Sequence, residues 1–377
     1  MKTQKLIYAD HAATTMLLPA ALEAMLPFLQ TEYGNASTLY SLARQPKKAI
    51  AAARAAIANC IGAEPEEIFF TSCGTESDNW ALKGTAFRFP GQKKRIITSG
   101  IEHHAVLHSC AFLERIGYDI VYLPVDEKGL VSPAVLEKAI NEDTILVSIM
   151  MANNEIGTIE PIKELADIAH NHGVLFHTDA VQAVGHIPIN VDELGIDMLS
   201  ASAHKFNGPK GIGFLYIRKG TALMNLLDGG AQESGHRGGT ENVASIVGMA
   251  TALRFNVDNM QKHTSHLEQL QKIFIKGLDE HGVDYVLNGS EYRIPGSFSV
   301  SFPHKEGEAI LHRLDLMGVA VTTGSACNSK ETEISHVLKA IALPENLALG
   351  TVRFTFGFDN TEDEVRYVAN CLAKIMA

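Results

Sequence analysis

The chain has 377 residues, enough for two or three domains and a buried core around a cofactor, which excludes a peptide or a disulfide-stapled miniprotein. Apolar residues make up 46% and charged residues 20%, a globular balance rather than a low-complexity or collagen-like one. The net charge of −11 argues against general affinity for nucleic acid or anionic lipid, so an anionic ligand needs a local site.

At the start of the chain, the apolar run before Asp10 and His11 is too short for a signal-peptide core. The longest apolar stretch, near 145–152, is broken by Ser148 and falls far short of the roughly 20 residues that span a bilayer. A cytoplasmic location is expected, without membrane or direct nucleic-acid contact. Cys60, Cys73, Cys110, Cys327 and Cys371 are odd in number and form no C-x-x-C pair, so neither a disulfide framework nor a zinc site is suggested, and no metal is expected.

From 65 to 220, short β-branched or aromatic runs alternate with helical spacing. Strands are predicted at 67–71, 95–99, 119–124, 144–150, 174–178, 197–201 and 212–217, with helices at 77–87, 105–115, 132–140 and 162–172. This rhythm predicts an α/β fold with a mainly parallel sheet covered on both faces, whose ligands sit beyond the carboxyl ends of the strands. A glycine-rich loop at 228–240 precedes one long helical stretch over 241–281. Signals at 296–301, 306–316, 352–356 and 362–375 predict a smaller α+β unit. The expected division is a large domain over 15–257 and a small one made from 1–14 and 258–377.

Five segments carry chemistry. Lys205 stands just beyond a strand beside Ser202 and His204, and an amine shielded among other positive groups is a Schiff-base candidate, although a plain surface lysine fits equally well. Asp179 closes an apolar strand, where a carboxylate can pair with a pyridinium nitrogen or simply cap a helix. Gly74 and Thr75 lie where a strand turns into a helix, an arrangement that aims backbone N–H groups at one phosphate; a capping box with Thr75 as N-cap is the alternative. His103 follows another strand end and is able to stack on a flat cofactor or shuttle protons. Cys327 lies in a polar, small-residue stretch without apolar periodicity, unlike Cys60, Cys110 and Cys371, and so is the candidate thiolate.

Together these segments resemble the cysteine desulfurases of the iron–sulfur-assembly and nitrogen-fixation group, within the class V aminotransferase family. The motifs are Tyr8-Ala-Asp-His-Ala-Ala-Thr-Thr15, Tyr33-Gly-Asn-Ala-Ser37, Thr71-Ser-Cys-Gly-Thr-Glu-Ser-Asp-Asn79, Asn153-Asn-Glu-Ile-Gly157, His177-Thr-Asp-Ala-Val-Gln182, Ser202-Ala-His-Lys205, Arg237-Gly-Gly-Thr-Glu-Asn242, Gly324-Ser-Ala-Cys327 and Val352-Arg-Phe354, and they cover essentially the whole chain. The resemblance implies the pyridoxal-phosphate transferase fold of type I, with a mainly parallel seven-stranded sheet, and pyridoxal 5′-phosphate as cofactor. It implies that Lys205 binds the cofactor covalently, Asp179 pairs with the ring nitrogen, His103 stacks on the ring and Gln182 contacts its phenolic oxygen. Gly74, Thr75, Ser202 and His204 would hold the phosphate, with Thr240 from a partner subunit, which requires a homodimer. Asn154 and Arg353 would orient the substrate.

The activity so implied converts L-cysteine to L-alanine and leaves a persulfide on Cys327 for a sulfur-acceptor protein, an iron–sulfur scaffold or a thiolation relay. A selenocysteine lyase or aminotransferase of the same fold, or a catalytically silent scaffold that binds pyridoxal phosphate, are the other readings. Cys73 stands where a glycine is usual beside the phosphate loop, which places a second thiol near the cofactor.

Overall fold

The computed structural model describes residues 6–88, 94–323 and 334–376. The described residues open with strand β1 (Ile7–Tyr8) and helices α1 (Pro19–Gln30) and α2 (Arg44–Ile61), all before the first strand predicted from residue spacing. Strand β2 (Ile68–Thr71) leads into helix α3 (Gly74–Arg88), so Thr75 lies inside the helix rather than capping it.

Strand and helix then alternate as predicted: β3 (Arg95–Ser99), α4 (His104–Arg115), β4 (Asp119–Leu123), α5 (Pro133–Ala139), β5 (Thr144–Ser148), α6 (Ile162–Asn171), β6 (Leu175–Asp179), α7 (Val191–Leu194), β7 (Met198–Ser202) and β8 (Gly213–Ile217). These strands form a seven-stranded sheet in the order β2-β8-β7-β6-β5-β3-β4. Only β8 runs against its neighbours, which keeps β2 parallel to the others. β5, β7 and β8 are buried along their whole length because helices cover both faces, which is why they read as continuous apolar runs.

The strand order determines where a ligand goes. From β3 the chain steps outward to β4, then returns to the other side of β3 for β5 and proceeds away through β6 and β7. The reversal opens a crevice beyond the carboxyl ends of β3 and β5, the place where sheets of this kind bind ligands.

The predicted continuous helix over 241–281 is two helices, α8 (Val243–Asp258) and α9 (Met260–Glu280). They part at Asn259, whose side chain donates to the carbonyl of Phe255 at 2.8 Å, a local bond that competes with helix continuation. α8 packs on α1 and α2, whereas α9 packs on the last helix, α13 (Glu362–Met376).

Strands β9 (Val286–Asn288), β10 (Ser297–Ser301) and β12 (Thr351–Thr355) make an antiparallel sheet, and β1 pairs in parallel with β11 (Val319–Ala320). Helices α10 (Gly307–Leu316), α11 (His336–Ala340) and α12 (Glu345–Ala348) complete the described residues. A separate core gathers Ile7 and Ala9 with Leu270, Phe274, Phe298, Val352, Phe354 and Leu372. Because side chains alternate along a strand, the core-facing Val352 and Phe354 turn Arg353 to the opposite face. Among the described residues no helix is long and apolar enough to cross a membrane.

Candidate active site

The carboxyl ends of β2, β3, β5, β6 and β7 converge on one cavity of about 440 Å³. It is lined by Gly74 and Thr75 after β2, His103 after β3, Asn154 after β5, Asp179 and Gln182 at β6, and Ser202, His204 and Lys205 at β7, with Arg353 from β12 closing one side. Ten residues named from sequence therefore share one cavity. Thr240 is exposed and does not line it. Cys327 lies outside the described residues.

Lys205 Nζ donates to the carbonyls of Ala12 and Ala13 at 2.5 and 2.9 Å, which holds the amine at the cavity wall formed by the N-terminal segment. Gln182 Nε2 donates to the same Ala12 carbonyl at 2.9 Å. His204 bonds the Thr14 hydroxyl through Nδ1 at 3.1 Å, and burial, with help from Lys205 and Lys210, pushes its imidazole down to about 4, so it is neutral at pH 7.

At the opposite end, Asp179 is buried and accepts the Val181 N–H at 2.9 Å. Burial raises its carboxyl above the usual range, while His103, the Val181 N–H and Lys205 favour the anion. His103 is the N-cap of α4: its Nδ1 accepts the Ala105 N–H at 3.1 Å, so in the neutral ring the proton is on Nε2. The imidazole thus offers a donor, and acting as a base through Nδ1 would break the cap. One ligand atom from each of Asp78, His103 and Asp179 lies within 4.8 Å of the others, a spacing a metal ion could also use.

Arg353 is held on two sides before any ligand arrives. Nη2 donates to Asp10 Oδ1 at 2.7 Å and Nη1 to the Asn154 carbonyl at 2.8 Å, whereas its Nε is buried without a hydrogen-bond partner. Glu155, in the same Asn-Asn-Glu motif, accepts the Ser335 hydroxyl at 2.5 Å, and burial pushes its carboxyl up to about 7 against the pull of Ser335 and Arg353. Sequence reasoning missed Asp10, Asp78 and Glu155 as parts of the site, although each lies inside a quoted motif.

The residues fit pyridoxal phosphate. The start of the 15-residue helix α3 presents first-turn N–H groups that have no acceptor within the helix, beside Thr75, Ser202 and His204. A Cβ on Gly74 would come within 2.6 Å of Val181 Cγ2, so the cradle is closed to any larger residue. The other end offers a buried carboxylate for a ring N–H, and between them lie an amine and a flat imidazole. The guanidinium of Arg353 lines the same cavity and suits a carboxylate, the group an amino-acid substrate carries.

A family model for class V aminotransferases matches residues 7–368. A curated "Cysteine desulfurase IscS" from Dictyoglomus turgidum is 53% identical over 371 residues, covering 98% of this chain and 94% of that protein. A solved "NifS-like protein" superposes with a TM-score of 0.93 at 39% identity, over 98% of this chain and 99% of that one. The structure of "SspA in complex with cysteine" gives 0.85 at 38% identity, over 94% of this chain and all of that one. The chain belongs to the class V aminotransferase family, in its cysteine desulfurase branch.

Proposed function

We propose that this chain removes sulfur from L-cysteine with bound pyridoxal 5′-phosphate, releasing L-alanine and carrying the sulfur as a persulfide on Cys327. One observation carries the reading: Lys205, Asp179 and Arg353, supplied by three separate strands, share a cavity against which the flanks of the Cys327 segment are anchored. On one flank the Thr322 carbonyl accepts the backbone N–H of Arg353 at 2.7 Å, and on the other Ile334 and Ser335 line the cavity. Cys327 is five residues from Thr322 along the chain.

Pyridoxal phosphate, when bound, supplies an electron sink that makes proton loss from the substrate α-carbon feasible. The phosphate end would be held by the α3 N-terminus, Thr75, Ser202 and His204, and the ring by Asp179, Gln182 and His103. Lys205 Nζ would anchor the cofactor covalently and, as a free amine, would move the α-proton of the substrate. Arg353 would grip the substrate carboxylate through its guanidinium, and because Asp10 and the Asn154 carbonyl already fix its plane, little orientation remains to be lost on binding. The Cys327 thiolate then attacks the substrate sulfur: the S–S bond forms, the C–S bond breaks, and the electron pair left on carbon takes a proton to give alanine.

The chain is read as two domains with the boundaries expected from sequence, 15–257 and 1–14 with 258–377. It is read as a homodimer because α1 leaves Leu22, Leu26 and Leu29, one helix face at i, i+4 and i+7, exposed at 45, 40 and 60%. In such a pair Thr240, which is exposed here, would complete the partner's phosphate site. A thiolate nucleophile and unpaired cysteines suit the reducing cytoplasm, and the persulfide is handed to an acceptor protein.

Cys327→Ala tests the reading. With cysteine and a reductant it is expected to keep the cofactor's visible absorbance and lose sulfide and alanine formation. Unchanged sulfide release in that variant would overturn the persulfide route and favour a lyase that does not use the thiol.

A further inference from the structure

Beneath the cavity floor lies a carboxyl group to which no part of this chemistry assigns a role. Asp78, on the second turn of α3, is 1% exposed, and its Oδ1 is buried without a hydrogen-bond partner. One of its carboxyl oxygens lies within 4.8 Å of one of Asp179, the residue read as holding the ring nitrogen. Two carboxylates this close and this buried do not both ionise; one keeps a proton and donates it to the other.

The surroundings say which. Asp179 accepts the Val181 N–H at 2.9 Å and faces Lys205 and His103, all of which favour the anion. Asp78 instead faces Asp179, Glu102, Cys73 and the imidazole of His177. His177 lacks a compensating charge: it is fully buried between Ser148 Oγ at 2.8 Å and Ser200 Oγ at 3.0 Å, and burial pushes it down to about 3, so it is neutral. A neutral ring between two hydroxyls has one donor and one acceptor. Its partners are the Ser148 and Ser200 hydroxyls, and its Nε2 stands 3.7 Å from Asp78 Oδ1, so the neutral ring supplies no charge to that carboxyl.

We infer that Asp78 is a positioning residue which, kept as a neutral acid in this buried setting, donates its proton to Asp179 and so holds that carboxylate ionised and aimed at the ring nitrogen. The inference rests on the reading of the cavity as a pyridoxal-phosphate site. A carboxylate already satisfied by a donor on one oxygen and a backbone N–H on the other keeps a fixed orientation toward the third partner. Without that donor Asp179 loses its support and shares the buried space with Asp78 only through repulsion or a cavity.

The first test needs no turnover. An infrared difference spectrum of cofactor-free protein near neutral pH, wild type minus Asp78→Asn, is expected to contain the C=O stretch of a protonated carboxylic acid; its absence would overturn the inference. The second loads pyridoxal phosphate and follows the pH midpoint of its visible absorbance together with steady-state kinetics on cysteine. Asp78→Ala is expected to shift the midpoint and lower kcat by about tenfold, the effect of one charge-assisted hydrogen bond, with KM changed less than about twofold. Asp78→Asn keeps an N–H donor toward Asp179 and is expected to recover most of both. Asp78→Asn as damaged as Asp78→Ala, or Asp78→Ala matching wild type, overturns the assignment. If the alanine variant does not fold, the infrared band and the asparagine variant still decide. Failure of the desulfurase reading itself shows instead as sulfide release unaffected by Cys327→Ala, with the infrared band present.

Discussion

Replacing Gly74 by alanine puts a methyl group into the floor of the phosphate cradle. The new Cβ would lie 2.6 Å from Val181 Cγ2 and 3.5 Å from Ser202 Cβ. Carbon atoms in contact prefer ~3.5–4.0 Å, so the first pair must separate by about 1 Å. Gly74 is not among the positive-φ glycines, so backbone strain does not enter. Val181 is β-branched and stiff about χ1, and its N–H is bonded to Asp179, so the displacement passes from the phosphate end of the cavity to the ring-nitrogen end. Overpacking of this kind costs about 1–3 kcal/mol, or roughly 5- to 150-fold in cofactor affinity when the distortion is confined to the site. Equilibrium titration of cofactor-free protein with pyridoxal phosphate, read by absorbance, measures it. Val181→Ala opens the space the methyl needs, so Gly74→Ala/Val181→Ala is expected to regain affinity with a coupling of about 0.5–3 kcal/mol. An unchanged dissociation constant in Gly74→Ala, or a double variant no tighter than the single, refutes the steric argument.

Arg353→Lys keeps the charge but loses the planar fork that Asp10 and Asn154 orient, and KM for cysteine is expected to rise about tenfold or more in steady-state assays, with a smaller change in kcat. Burial pushes Glu160 up to about 8 from a reference of 4.5, and its Oε1 has no hydrogen-bond partner. The folded state holds that proton longer than the unfolded one, so this contribution is fully present below 4.5 and is lost as pH rises through about 8. Glu160→Gln should therefore gain stability relative to wild type across that window in urea unfolding, and a difference constant with pH would contradict the assignment. Leu26→Glu with Leu29→Glu places charge on the exposed face of α1; sedimentation is expected to show monomers, with weakened cofactor binding if Thr240 reaches across the pair. A dimer that survives both charges would remove α1 from the interface.

Much of the fold was legible because parallel strands buried on both faces leave continuous apolar runs, and those runs placed β3 and β8 nearly to the residue. The break at Asn259 was not legible: helical spacing continues through 241–281, and only the side-chain bond to Phe255 parts α8 from α9. Helices α1 and α2 escaped notice for a related reason. α1 buries Ala21 and Met25 while exposing Leu22, Leu26 and Leu29, so its apolar residues do not mark a face turned to this chain's core. In the site, Lys205, Asp179 and His103 stood out by type and by place at strand ends. Asp10, Glu155 and Asp78 did not, because a carboxylate in a motif reads the same whether it faces solvent, a guanidinium or a second acid.

The sequence by itself determined which reactive groups exist and the order in which strand ends present them, since both follow from local periodicity and residue chemistry. Tertiary structure alone decided which groups meet: Asp10 and Asn154 on Arg353 and Ser335 on Glu155 are contacts across well over a hundred residues. The approach of Asp78 to Asp179 joins residues about a hundred positions apart, from the helix after β2 to the end of β6. Protonation, tautomer and hydrogen-bond direction depend on such through-space neighbours and on burial, and those are set by the strand order of the sheet rather than by position along the chain.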